Sequence, residues 1–184
     1  MQGKIIFNGI SRKNTSFYIR YPKIGDSTLM QDYINTISEE QTFIRFQGEK
    51  VTLEHETKFL NDQLEKISKN QAVLFLVFSD QKLIGISGIE MKDRTSKHEG
   101  VFGISVAKEF RCQGIGKILM HKVLDEAVED IPQLKIITLG IFANNPAAFK
   151  MYENFGFKEF GRLPEGILHK GKYVDHVYMY KKVR

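Results

Sequence analysis

A chain of 184 residues with 42% hydrophobic and 27% charged residues can bury one substantial core, and nothing in it suggests a disordered, collagen-like or repeat protein. Its formal charge of +5 is a mild excess of dispersed basic residues, which fits a solvated surface or an anionic ligand better than a nucleic-acid groove. The single cysteine, Cys112, excludes an internal disulfide framework and a multi-cysteine metal site, and no apolar run reaches the roughly 18 residues needed to cross a bilayer. We therefore expect one cytoplasmic domain over residues 1–184, with neither nucleic acid nor membrane as a partner.

In chain order, residues 1–14 lack periodicity and read as a loose lead-in. Ser16 to Tyr21 alternates and is rich in β-formers, so it reads as the first strand. Asp26 or Ser27 can cap a helix with Met30, Tyr33, Ile34 and Ile37 at helical spacing. Thr52 can cap a second, whose apolar face would carry Leu53, Phe59, Leu60, Leu64 and Ile67. The polar stretch between them, Glu39 to Val51, reads as a mobile segment over a binding site. Ala72 to Phe78 is a continuous apolar run typical of a strand buried on both faces. A turn over Ser79 to Lys82 leads into a strand from Leu83 to Met91, and a polar loop into another from His98 to Val106.

The next helix carries Ile115, Ile118, Leu119, Val123 and Ala127 on one side, and Pro132 closes it. Leu134 to Phe142 is a further apolar strand. Asn145-Pro146 places a capping side chain and a proline where a helix starts, and Gly156 ends that helix. Phe157 to Leu163 and Tyr173 to Tyr180 read as two closing strands. The order β-α-α-β-β-β-α-β-α-β-β implies an α/β domain with a mixed sheet.

The stretch between the strand ending at Val106 and the helix starting near Ile115 has a chemical use. A helix N-terminus offers unpaired N–H groups and a positive dipole end to an anion, and Gly114 and Gly116 allow close backbone approach. A dinucleotide fingerprint would need a third glycine and an acidic residue ending the next strand; a P-loop would need Ser or Thr after Gly116-Lys117, where Ile118 stands. On the glycines alone the loop is a generic anion cradle.

Together with Asn145 to Phe157, which reads Asn-Pro-Ala-Ala-Phe-Lys-Met-Tyr-Glu-Asn-Phe-Gly-Phe, the run Arg111-Cys-Gln-Gly-Ile-Gly116 strongly resembles the two signatures of the GNAT superfamily of acyl-CoA-dependent N-acetyltransferases. The resemblance covers most of residues 16–182. It implies a GNAT fold: a central mixed, mostly antiparallel sheet, splayed at the strand before the phosphate loop and flanked by helices. It implies acetyl-CoA as cosubstrate, no metal, and direct transfer of an acetyl group to a primary amine in a ternary complex. Arg111, Cys112, Gln113, Gly114, Ile115 and Gly116 would then bind the coenzyme A pyrophosphate, with Lys117 opening the supporting helix. Ile104, Ser105 and Val106 would lie beside the pantetheine arm and hold the thioester carbonyl, often at a bulge in this family. Asn145 would bond the pantetheine, and Tyr152 would serve the departing thiolate as proton or hydrogen-bond donor. Cys112, despite the helix N-terminus beside it, reads as filler rather than a nucleophile.

A protonated amine also needs a proton acceptor. Glu90, His98 and Glu99 lie on the strands entering the expected splay and are the candidates, although Glu99 is one residue from the place of a glutamate base in some members. Other relatives carry a glutamate on the strand before the Asn signature, where this chain has Gly140. The tail from Glu165 to Met179 resembles a branch acting on amino acids, polyamines or ribosomal-protein N-termini, and Tyr173 and Asp175 could line the acceptor pocket. A small-molecule amine or amino acid is the favoured acceptor, a peptide N-terminus the alternative, and a homodimer is compatible with both. A reading of another class is a noncatalytic acyl-CoA-binding regulatory module.

Overall fold

The computed structural model describes residues 1–184. Eight strands form one sheet: β1 (Ile5–Ile10), β2 (Ser16–Arg20), β3 (Ala72–Ser79), β4 (Lys82–Met91), β5 (Glu99–Val106), β6 (Ile136–Phe142), β7 (Lys158–His169) and β8 (Lys172–Lys182). The helices are α1 (Ser27–Glu39), α2 (Leu53–Ser68), α3 (Ile115–Asp130) and α4 (Pro146–Asn154). The strand order is β1-β2-β3-β4-β5-β6-β8-β7, and every neighbouring pair is antiparallel except β5 and β6. No helix is long and apolar enough to cross a membrane.

Residues facing each other across an antiparallel pair share a face of the sheet. Ser105 opposes Ile86 and accepts a hydrogen bond from Tyr33 of α1, while Glu90 opposes Val101 and accepts from Gln63 and Lys66 of α2. The alternation therefore places α1 and α2 on one face. On the other, Tyr21 donates to Glu126 of α3, and Tyr152 of α4 meets Phe102 edge to face at 6.1 Å. β3 is buried along its whole length between the two helical layers, as its uninterrupted apolar run implies.

The lead-in expected over residues 1–14 is instead the edge strand β1, paired with β2. Edge strands need cover only part of one face, so β1 alternates weakly; Phe7, 5.7 Å from Phe17, is its anchor. β7 and β8 extend past their expected ends into a long hairpin, because the register shift between Leu163 and Ile167 absorbs Pro164 and Gly166 without ending the strand. β6 begins at Ile136 rather than Leu134. In α2 the inner face runs through Glu56, Leu60, Gln63 and Ile67, which leaves Leu53 and Phe59 exposed. Thr52 caps α2 by accepting from the His55 N–H, as expected. Asp26 precedes α1 without capping it, since its carboxylate is engaged with Arg20.

Candidate active site

The β5–β6 junction creates the opening. Parallel pairing joins Glu99–Val101 to Ile136–Thr138 and then stops, although both strands continue. β5 stays in unbroken register with β4 through Val106, so the splay arises from divergence of β6 and not from a bulge in β5. Ala107 donates to the Ile84 carbonyl, and Lys92 to that of Glu99. The antiparallel alternation then aims odd-numbered β5 amides at β4 and even-numbered ones at β6. Ile104 and Val106 consequently present N–H groups into the splay without a partner strand. The Ser105 amide faces β4, and its hydroxyl is taken by Tyr33, 2.9 Å away.

Immediately after β5 the chain makes a tight turn over Lys108–Phe110 and enters the glycine loop. The amides of Cys112, Gln113, Gly114, Ile115 and Gly116 find no acceptor in the protein, whereas those of Lys117 and Ile118 bond to the Gly114 carbonyl. Five consecutive free N–H groups at the start of a four-turn helix form an anion cradle. Cys112 and Gly114 have φ of 59° and 90°, and this left-handed backbone turns the amides outward.

Two anchors fix the loop. Buried Gln113 accepts from Ser11 (2.9 Å) and Thr15 (3.3 Å) and donates to the Glu109 carbonyl (2.7 Å), and its own carbonyl accepts from the Arg12 N–H. Arg111 donates to the Val106 carbonyl at 2.6 Å and pairs with Glu40 at the end of α1. The Arg111 guanidinium thus braces the loop and is not free for a phosphate. The β1–β2 turn supplies a cation in its place. Arg12, exposed and without an ion pair, runs alongside Gly114, its Nε 3.5 Å from where a Cβ would sit. A weakly patterned edge strand gave no signal for that position, which only the pairing of β1 with β2 brings to the loop. Lys117 is exposed in the first turn of α3.

At the base of the opening, Asn145 caps α4 by accepting from the Ala148 N–H at 3.2 Å, which leaves its amide N–H groups unused by the protein. Tyr152 is 8% exposed. Its hydroxyl makes no hydrogen bond, and since no fully buried side-chain polar atom lacks a partner, that hydroxyl reaches solvent. Burial of the ring pushes the phenol up to about 12, so it holds its proton at neutral pH.

Glu90, His98 and Glu99 are not brought to this opening. Glu90 is engaged by Gln63 and Lys66 on the helical face. His98 precedes β5 with an exposed side chain. Glu99 lies where β5 and β6 are still joined; burial favours its protonated form, but hydrogen bonds from Lys92 and Thr138 outweigh this and hold its pKa down. Roughly 3.3 Å per residue separates these positions from Ile104 along the strand, an order of 15 Å or more for His98 and Glu99.

On the α1–α2 face the segment after α1 folds back over the sheet. Phe43 packs on Phe142 and on buried His169, at 5.9 and 5.1 Å. His169 Nε2 lies 3.3 Å from the Gln41 carbonyl and must therefore carry the proton, leaving Nδ1 to accept from Asn144 at 3.1 Å. Asp175 is occupied by Arg162 and the Glu165 N–H, and Tyr173 is 67% exposed on the hairpin. His176 of β8 lies against Tyr178, ring centroids 4.2 Å apart and tilted by 36°, and makes no hydrogen bond. No three His, Cys, Asp or Glu side chains converge to hold a metal ion.

A family model described as the acetyltransferase (GNAT) family matches residues 32–157. An L-amino acid N-acetyltransferase of Escherichia coli (strain K12) is 30% identical over 101 residues, 54% of this chain and 62% of that one, so the match spans less than two thirds of that relative. A spermidine N(1)-acetyltransferase of Vibrio cholerae is 33% identical over 126 residues, covering 65% and 71% of the two chains. Among solved structures, an acetyltransferase of the GNAT family from Streptococcus pneumoniae superimposes with a TM-score of 0.83 at 26% identity, over 91% of this chain and 99% of that one. The spermidine N-acetyltransferase of Vibrio cholerae in complex with CoA and spermine gives 0.72 at 25% identity, over 90% and 95%.

Proposed function

Because the chain belongs to the GNAT family of N-acetyltransferases, we propose that it transfers the acetyl group of acetyl-CoA to a primary amine by direct attack, with a small-molecule amine or amino acid as acceptor. The observation that carries this is two sets of unused N–H groups, five consecutive ones in the glycine loop and those of Ile104 and Val106 on the strand that leads into it. The cradle suits a pyrophosphate and the two strand amides a thioester carbonyl. When bound, acetyl-CoA supplies the activated acyl group. The chain's part is to hold that carbonyl against donors aimed where negative charge develops on attack.

The relatives that act on an amino acid and on spermidine support a small amine as acceptor. Release of free thiol from acetyl-CoA, measured against L-amino acids, spermidine and peptides with free N-termini, tests the reading. Turnover with peptides alone would make this a protein N-terminal acetyltransferase. Tight acetyl-CoA binding with no thiol release from any amine would make it a regulatory acyl-CoA-binding module.

Two further outcomes follow from the cofactor side. Tyr152 sits too high in pKa to give up its proton fully to a thiolate near 8.5, so its hydroxyl acts by hydrogen bonding. Tyr152→Phe should lower kcat about tenfold, the worth of one hydrogen bond to a charged group, with little change in KM for acetyl-CoA. An unchanged kcat would remove Tyr152 from the chemistry. Arg12→Ala should weaken coenzyme A binding about two- to fivefold, as expected for an exposed ion pair, and the difference should fade at high salt. Calorimetric titration at two ionic strengths reads it directly.

A further inference from the structure

We propose that His176, on β8, is the group that takes the proton from the acceptor amine. The proposal rests on the acetyltransferase reading above and on three features of the fold.

The first is position. Val101 pairs with Thr138 at the last rung joining β5 to β6, so two residues further on Gly140 stands level with Gly103, where the strands have parted. Thr138 bonds Glu99, and Leu139 and Ile141 are buried among the core residues; Gly140 therefore faces the α1–α2 side, the side on which Ser105 meets Tyr33. His176 opposes Phe142 across β6 and β8 and lies over Gly140. Its ring thus covers β6 on the α1–α2 side, at the level where β6 has already left β5.

The second is space kept for the ring. A Cβ on Gly140 would lie 2.2 Å from His176 Nε2 and 3.1 Å from Cε1, so only glycine at 140 allows the imidazole to lie there. Gly140 adopts no backbone conformation that requires glycine, and its lack of a side chain is explained by this contact. Gly166 of β7 is close to the His176 Cβ in the same way, at 3.0 Å, and the Tyr178 ring supports the imidazole from its own strand.

The third is availability. Of the groups packed around it, Leu163 and Gly166 on β7 and Gly140 and Phe142 on β6 do not titrate, and Tyr178 is the neighbour on β8. The charge facing it is Arg45, from the segment that follows α1. Burial, and then the Arg45 charge, lower the His176 pKa, which keeps the ring neutral and able to accept. Neither ring nitrogen has a partner in the protein, unlike those of His169.

His176 receives one proton from the ammonium, freeing the lone pair; the C–N bond forms and the C–S bond breaks. A second amine proton passes to the departing thiolate, with Tyr152 as hydrogen-bond partner, and the imidazolium returns its proton to solvent.

The test is His176→Gln, assayed with the amine that gives the fastest wild-type thiol release in the panel above. The variant should lose about 100-fold in kcat, the lower range for general-base catalysis, while calorimetric affinity for coenzyme A stays within twofold. In the wild type, activity should fall as pH drops through a value below the ordinary 6.5 of histidine, and this acidic limb should vanish in the variant. NMR titration of the labelled His176 ring should give the same midpoint. His176→Ala should recover activity with added imidazole, and Gly140→Ala should lower kcat by displacing the ring while leaving His176 in place in the sequence. Wild-type kcat with an intact acidic limb in His176→Gln would overturn the assignment, as would a failure of both imidazole rescue and Gly140→Ala to change turnover. Absence of thiol release by the wild type with every amine would instead overturn the acetyltransferase reading itself.

Discussion

Gly116→Val should weaken acetyl-CoA binding by at least about 100-fold and leave the fold intact. Gly116 lies in the first turn of α3 with an ordinary helical backbone, and a Cβ there would meet only Val106 Cγ2, at 3.8 Å. The free protein has room for an added Cβ; an anion seated on the amides of 112–116 would leave none. A branched side chain would hold the pyrophosphate away from at least two of these donors. Hydrogen bonds to charged groups contribute about 1.5–3 kcal/mol each, so losing two amounts to 100-fold or more. Gly114→Ala would fail for a different reason. At φ +90° any side chain is strained by roughly 1–2 kcal/mol, and the added Cβ also borders Arg12. Thermal melts separate the two: Gly116→Val should melt with the wild type, and Gly114→Ala should melt a few degrees lower. Wild-type coenzyme A affinity in Gly116→Val would mean that the loop does not hold the phosphate.

Asp26→Ala should cost about 3–5 kcal/mol of stability, the penalty for leaving one partner of a buried ion pair alone. Arg20 and Asp26 are 7% and 1% exposed and form two parallel bonds, at 2.7 and 2.8 Å. Arg20 also donates to the Tyr21 carbonyl and lies 4.3 Å above the Phe78 ring, while Asp26 accepts from the Lys23 N–H. Both carboxylate oxygens of Asp26 are taken by Arg20, so removing the carboxylate strands a largely buried guanidinium. For a domain of this size the loss corresponds to about 10–15 °C in Tm. The double change Arg20→Met with Asp26→Leu should recover much of it, because apolar replacements leave no buried charge. The pair ties the start of α1 to β2, and α1 carries Tyr33 to Ser105 and Glu40 to Arg111. Asp26→Ala should therefore also loosen the α1–α2 face, seen as faster amide exchange in the segment after α1.

Part of the candidate site was legible in the chain. The glycine loop, the capping Asn145 and Tyr152 are local features, governed by backbone permissiveness and helix-end chemistry over a few residues. Strand and helix identities follow from periodicity for the same reason, and the errors fall where periodicity is weak. β1 is an edge strand with one lightly packed face, and β7 is exposed along most of its length. In α2 the polar Glu56 and Gln63 turn inward, a choice set by the layer beneath them and not by hydrophobicity.

What only the tertiary structure decided is which residues from distant parts of the chain share the opening. Parity along β5 could relate His98 to Ile104, but it could not show that β6 leaves β5 after Val101 and strands His98 and Glu99 at the joined end. Nor could it bring Arg12 of the β1–β2 turn to Gly114, or His176 of β8 over Gly140. Sequence alone determined that a glycine loop opens α3, because that depends on neighbouring residues and their backbone freedom. Strand order and register determined what faces that loop and the splay beside it, because contacts between strands depend on how the whole sheet is assembled.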